Sequence, residues 1–166
     1  MVEFSDRSAI TDSYHLLAGV SAADIERVFA LGQTIEVQEG DQLTAIGGQA
    51  DRLYFVRRGR VRLTMPLNVR GDEREILIEE KGRGDAVGWS ALVPPHHFTL
   101  NARASIDSEL IEIPGEALLR FLSTNRDVGF TVVSNMAQMI GRRLLTVQTM
   151  WVRAMQRTVE GLDRSA

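Results

Sequence analysis

The sequence predicts an α+β domain, mainly β, in which helices flank a rolled antiparallel sheet. Three observations predict it. Apolar residues recur at helical spacing up to about residue 31; short alternating segments lie between glycine turns from 33 to 113; and a proline-free helical run fills about 125–160. Together they describe a single domain over 1–166, with a β-roll at about 33–113 and a C-terminal helix at about 125–160.

The first helix is signalled by Ser21 and Asp24, which resemble an N-terminal cap. Ile25, Val28 and Phe29 follow on one face, and Tyr14, Leu16 and Leu17 predict a short preceding turn that packs on it. In the second stretch, Arg60 to Met65 alternate polar and apolar, as a strand with one wet face does. Leu53 and Phe55 extend that alternation upstream. Ile76, Leu77 and Ile78 read as a buried run; Leu100, Ala102 and Ala104 alternate with polar neighbours; Leu110, Ile111 and Ile113 close the set. Glu39-Gly40-Asp41, Gly47-Gly48, Arg58-Gly59, Arg70-Gly71-Asp72 and Gly84-Asp85 mark the turns. Pro114 and Glu116 then suit a helix start, and Ser123 to Asn125 break that helix and cap the next. The last helix carries an apolar stripe at Val133, Met136, Ile140, Leu144, Val147, Trp151 and Ala154, in steps of three and four. That is the pattern of a helix-pairing seam, so a homodimer is expected.

Composition narrows the function classes. The 166 residues are 44% hydrophobic and 25% charged, as in a globular domain. There is no cysteine, which removes disulfides, thiolate metal sites and thiol nucleophiles. The segment Met1–Ser8 has no apolar core of a signal peptide, and no apolar run reaches membrane-span length. A cytoplasmic protein without membrane contact is expected. The net charge of −3 argues against non-specific nucleic-acid affinity. No Ser/His/Asp arrangement, paired-carboxylate signature or dinucleotide fingerprint stands in the chain, so neither enzyme activity nor a cofactor is expected. His96 and His97 are chain neighbours that point apart, which favours a solvent-facing loop over a metal site. Lys81 is the only lysine among many arginines and reads as codon bias.

Four motifs carry a family resemblance. Glu39-Gly40-Asp41, Asp51-Arg52-Leu53-Tyr54-Phe55-Val56 followed by Arg58-Gly59-Arg60-Val61, Gly82-Arg83-Gly84-Asp85-Ala86-Val87-Gly88, and Ser108-Glu109-Leu110-Ile111-Glu112-Ile113 stand in order. They resemble the cyclic-nucleotide-binding domain of the catabolite-activator superfamily. That resemblance implies a double-stranded, jelly-roll-like β-helix with N-terminal helices and a long dimerisation helix. It also places the phosphate-binding cassette at Gly88-Trp89-Ser90-Ala91 through Phe98-Thr99.

The cassette departs from the family pattern. Cyclic-nucleotide binders place a Glu after the Gly, for the ribose, and an Arg before a Ser or Thr, for the phosphate. Here those positions hold Trp89 and Phe98. Losing a charge-assisted contact costs about 1.5–3 kcal/mol, so neither cyclic AMP nor cyclic GMP is expected to bind in the usual way. Arg103 lies at odd spacing from Phe98 and should point elsewhere; Arg142 and Arg143 read as surface charge on the last helix. Trp89 and Phe98 either line a pocket for a flat ligand or fill it.

The expected function is a non-catalytic regulatory or sensor module. An unknown small ligand or partner protein acts on the roll, and the C-terminal helix carries the response. The alternatives are an interaction module with an occluded pocket, or the sensory part of a larger transcription factor. Only Leu162–Ala166 follow Gly161, so no recognition helix and no direct nucleic-acid contact are expected.

Overall fold

The computed structural model describes the backbone of residues 14–163. The Met1–Ser8 reading lies outside them. A 3₁₀ turn at His15–Leu17 leads into α1 (Ala22–Phe29). Eight strands follow: β1 (Gln33–Val37), β2 (Gln42–Thr44), β3 (Arg52–Arg58), β4 (Val61–Val69), β5 (Asp72–Lys81), β6 (Ala86–Val87), β7 (Asn101–Ala104) and β8 (Ser108–Pro114). A 3₁₀ turn at Trp89–Leu92 lies between β6 and β7. Helices α2 (Gly115–Thr124) and α3 (Arg126–Asp163) complete the chain. Among the described residues no helix is long and apolar enough to cross a membrane.

The strands form two four-stranded antiparallel sheets, ordered β1-β8-β3-β6 and β2-β7-β4-β5. Both contain strands from each half of the sequence, which is what a roll requires. The Ser21 cap forms as expected: its Oγ accepts from the Asp24 N–H at 3.2 Å and donates to the Asp24 carboxylate at 2.7 Å.

The first sheet has both faces covered. Tyr54, Val56, Val87 and Leu110 pack with Val61, Leu63 and Ala102 of the second sheet, and with Leu100 just before β7, inside the roll. Leu53, Phe55, Ile111 and Ile113 face the helices. All four residues Leu53 to Val56 are therefore buried, which corrects the expected one-sided alternation for this strand. A strand covered on both faces has no position left to expose. The second sheet alternates over Val61-Arg62-Leu63, but a register shift between Leu63 and Thr64 reverses the expected pattern, so Thr64 is buried and Met65 exposed. On the helical side the rings of Tyr14, Phe29 and Phe55 meet edge to face at 4.9–5.7 Å. They tie the N-terminal turn and α1 to β3.

The Ile76-Leu77-Ile78 run is not buried as a unit: Leu77 is 58% exposed, and only Ile78 packs on the roll interior. The reason is topological. β4 pairs with β7 only from Val61 to Thr64, while it pairs with β5 out to Val69. The hairpin therefore outruns the sheet from Met65 and Ile76 outward, and Leu77 stands at that boundary on the edge strand β5.

Helix α3 is continuous through Gly129 and Gly141 and runs past the expected stop at Gly161. Its 38 residues span ~57 Å at 1.5 Å per residue. Asn135 fastens it by donating to the carbonyls of Leu16 (3.2 Å) and Ala18 (2.8 Å). Val132 and Met136 are buried against the roll's helical side, and Met139 and Ile140 pack beside them. The predicted seam therefore divides. Met136 belongs to the chain's own core and Ile140 packs against it, because the helix docks along its N-terminal half. Val133, Leu144, Val147 and Trp151 are exposed, Trp151 by 64%.

Candidate functional site

The cassette turn is set by Gly88. Its φ of +84° is left-handed, and a Cβ there would lie 2.8 Å from the Arg52 carbonyl and 3.2 Å from Phe98. A side chain at this position meets both strain and backbone. The chain then enters the 3₁₀ turn with Trp89 half-buried and Ser90 to Leu92 buried. Phe98 returns from the far side of the loop, held by Phe98 N–H to Gly48 O (2.9 Å) and Gly47 N–H to Phe98 O (2.8 Å). Between them the Pro94–Pro95 bond is cis. His96 turns its Nδ1 to the Ala91 carbonyl at 3.2 Å, while His97 is exposed.

Gly88, Trp89, Ser90, Phe98 and Thr99 border one cavity of about 20 Å³, close to the size of a single water site. Trp89 and Phe98 thus both border this small cavity. Ala91 is a correction. It faces away from that cavity and lines a larger, open groove of about 700 Å³, together with Ala50 and Arg52. Phe98 packs on Ala50 and Ala91, so its ring stands between the two spaces.

The large groove holds a polar network. Glu112 accepts from Arg52 at 2.8 Å and from Gln33 at 3.0 Å. Burial alone would raise the Glu112 carboxyl, but the hydrogen bonds from Arg52 and Gln33 outweigh it and hold the carboxyl below its usual range. Burial, with Glu112 beside it, pushes the Tyr54 hydroxyl up to about 12.

Three charged residues that the sequence reading did not assign to the site gather at the small cavity. Lys81, at the end of β5, has a side chain only 8% exposed, and Arg143 of α3 has one 21% exposed; both line the cavity. Each binds the carboxylate of Glu79. Lys81 Nζ pairs with Glu79 Oε1, and Arg143 Nη2 lies 2.7 Å from Glu79 Oε2. Burial would raise the Glu79 carboxyl; the hydrogen bonds from Lys81 and Arg143 more than offset it and lower it. Two signals were present in the sequence. Lys81 is the sole lysine, and Arg143 follows Met136 by seven and Ile140 by three, on the docked face of α3. Arg103 points away from the cavity and donates to the Gly40 carbonyl at 3.4 Å.

Residues 34–125 match the family model for the cyclic nucleotide-binding domain. The catabolite activator protein of Thermus thermophilus superposes with a TM-score of 0.68 at 23% identity, covering 82% of this chain and 61% of that one. The N-terminal domain of a transcriptional regulator from Streptomyces coelicolor superposes at 0.64 with 23% identity, covering 82% and 91%. Glutaminase 1 of Bradyrhizobium diazoefficiens is 25% identical over 144 residues, which are 87% of this chain and 22% of that protein. The chain therefore spans about a fifth of that relative's length. With the two-sheet roll, the glycine-set cassette turn and the long final helix in place, the matched span leaves one assignment: the chain belongs to the cyclic nucleotide-binding domain family.

Proposed function

We propose that the chain is a non-catalytic regulatory module in which the roll pocket governs the position of α3, and that it does not take cyclic AMP or cyclic GMP in the family's usual manner. One observation carries the reading: Arg143 of α3 and Lys81 of the pocket wall share the carboxylate of Glu79. A change at the pocket that alters this shared ion pair alters one of the contacts that hold α3 past Ile140. Such coupling needs a ligand that favours one helix position over the other. The regulatory character of the superposed relatives supports the same reading.

The exposed apolar face from Leu144 to Trp151 supports pairing of α3 with a second copy, because a patch of this kind on a free helix is costly in water. A second reading, an interaction module with a sealed pocket, is favoured by the cavity's small volume.

The test is a distance measurement. Spin labels at Arg62→Cys and Val152→Cys, in a chain without native cysteine and diluted with unlabelled protein, report the position of α3 against the second sheet. Lys81→Met alters the pocket wall without touching α3. The regulatory reading expects the distance distribution to shift or broaden. An unchanged distribution in a folded variant overturns it and leaves the sealed module.

A further inference from the structure

The charges around the small cavity do not balance. Lys81 and Arg143 line it, and no carboxylate does; Glu79, which they share, stands outside the lining. Two formal positive charges therefore answer to one negative, and one of the two cations, Lys81, is buried. A buried charge without a partner is expensive, and an anion entering the cavity would complete the set. The rest of the lining states the shape of that anion. Trp89 and Phe98 offer flat apolar faces, Met139 a flexible one, and Thr44, Ser90 and Thr99 a few hydroxyls. Thr44 already spends its proton on the Leu100 carbonyl at 3.0 Å, so its hydroxyl is fixed.

The volume sets a condition. At about 20 Å³ the cavity cannot admit an organic molecule until a side chain moves. Trp89 is half-buried and Met139 sits where α3 crosses the roll, so both can yield without opening the sheet core. An indole that swings aside can lay its flat face on an incoming ring.

We propose that this cavity is a site for a compact carboxylate carrying a flat apolar group, an aryl carboxylate in chemical class, with the carboxylate taken by Lys81 and Arg143 and the ring lodged against Trp89 and Phe98. Glu79 acts as the internal competitor that occupies the two cations when the ligand is absent. The proposal rests on the reading that the roll pocket is the regulatory site, and it names what that site takes. The ligand reaches the same cations that hold Glu79, so its binding loosens the tie between β5 and α3.

Benzoate is the probe, with benzamide as its neutral isostere and inorganic phosphate as the non-aromatic anion. The readout is Trp89 emission in a Trp151→Phe background, backed by the melting temperature. The expected result is a saturable change with benzoate and at least tenfold weaker binding of benzamide. Lys81→Met should abolish the response. Glu79→Gln should tighten benzoate binding several-fold, because it removes the competitor, whereas a merely structural Glu79 would give no gain. Should Glu79→Gln fail to fold, the Lys81→Met arm decides alone. Equal binding of benzamide, phosphate binding as tightly as benzoate, or a Lys81→Met variant that still responds overturns the proposal. The two readings fail separately. If benzoate does not bind but Lys81→Met still shifts α3, the ligand class falls and the regulatory reading stands. Benzoate binding without movement of α3 does the reverse.

Discussion

Arg143 and Glu79 are 64 residues apart in the sequence and 2.7 Å apart in the fold, and they join the last helix to the wall of the roll pocket. Arg143→Ala should cost about 1–2 kcal/mol, between the values of exposed and buried pairs, because Glu79 is 38% exposed. Most of that loss should appear as fraying of α3 beyond Ile140. Urea denaturation gives the first quantity. Amide exchange resolves the second, and protection unchanged past Ile140 would contradict it.

Phe98 is the partition between the two cavities. Phe98→Ala removes it and should cost about 3 kcal/mol or somewhat more, as large-to-small aromatic truncations do. The small cavity should then open into the 700 Å³ groove. A denaturation midpoint within error of wild type would show that the ring is not packed as described.

Acid should weaken the fold through two carboxyls. Glu79 and Glu112 both lie below the ordinary value of 4.5 in the folded chain. A lowered folded value means that each adds stability above its unfolded value, and that this stability is lost as pH falls through the folded one. Glu112→Gln should therefore be less stable than wild type at about pH 7, and the gap should close towards about pH 3. A gap that stays constant across that range would mean that Glu112 gains nothing from Arg52.

The exposed stripe of α3 predicts assembly. Val147→Glu with Trp151→Glu places like charges at the centre of a paired-helix seam and should leave the protomer folded, since both positions are exposed. Sedimentation should show a dimer for wild type and a monomer for the double variant. These positions are cleaner than Ile140, which also packs on the protomer's own core. A wild-type monomer at high concentration would end the seam reading.

The order of elements was legible because local rules govern it. Ser21 caps α1, glycines mark the turns that need positive φ, and alternation marks Val61 to Leu63 as part of a strand with one wet face. The cassette, too, could be located from Gly88 and Phe98, and the loss of its acid and its base could be read directly. Tertiary structure alone decided which faces were covered. Leu53 to Val56 became buried on both sides because helices cover the first sheet, and Leu77 became exposed because it lies on the edge strand β5, opposite the last residue of β4 that β7 pairs. Whether the pocket was open could not be read from Trp89 and Phe98 alone, since its walls also come from β2, β4, β5 and α3. The cations were hidden for the same reason. Lys81 and Glu79 are local neighbours on one face of β5, but only the crossing of α3 over β5 brings Arg143 to the same carboxylate.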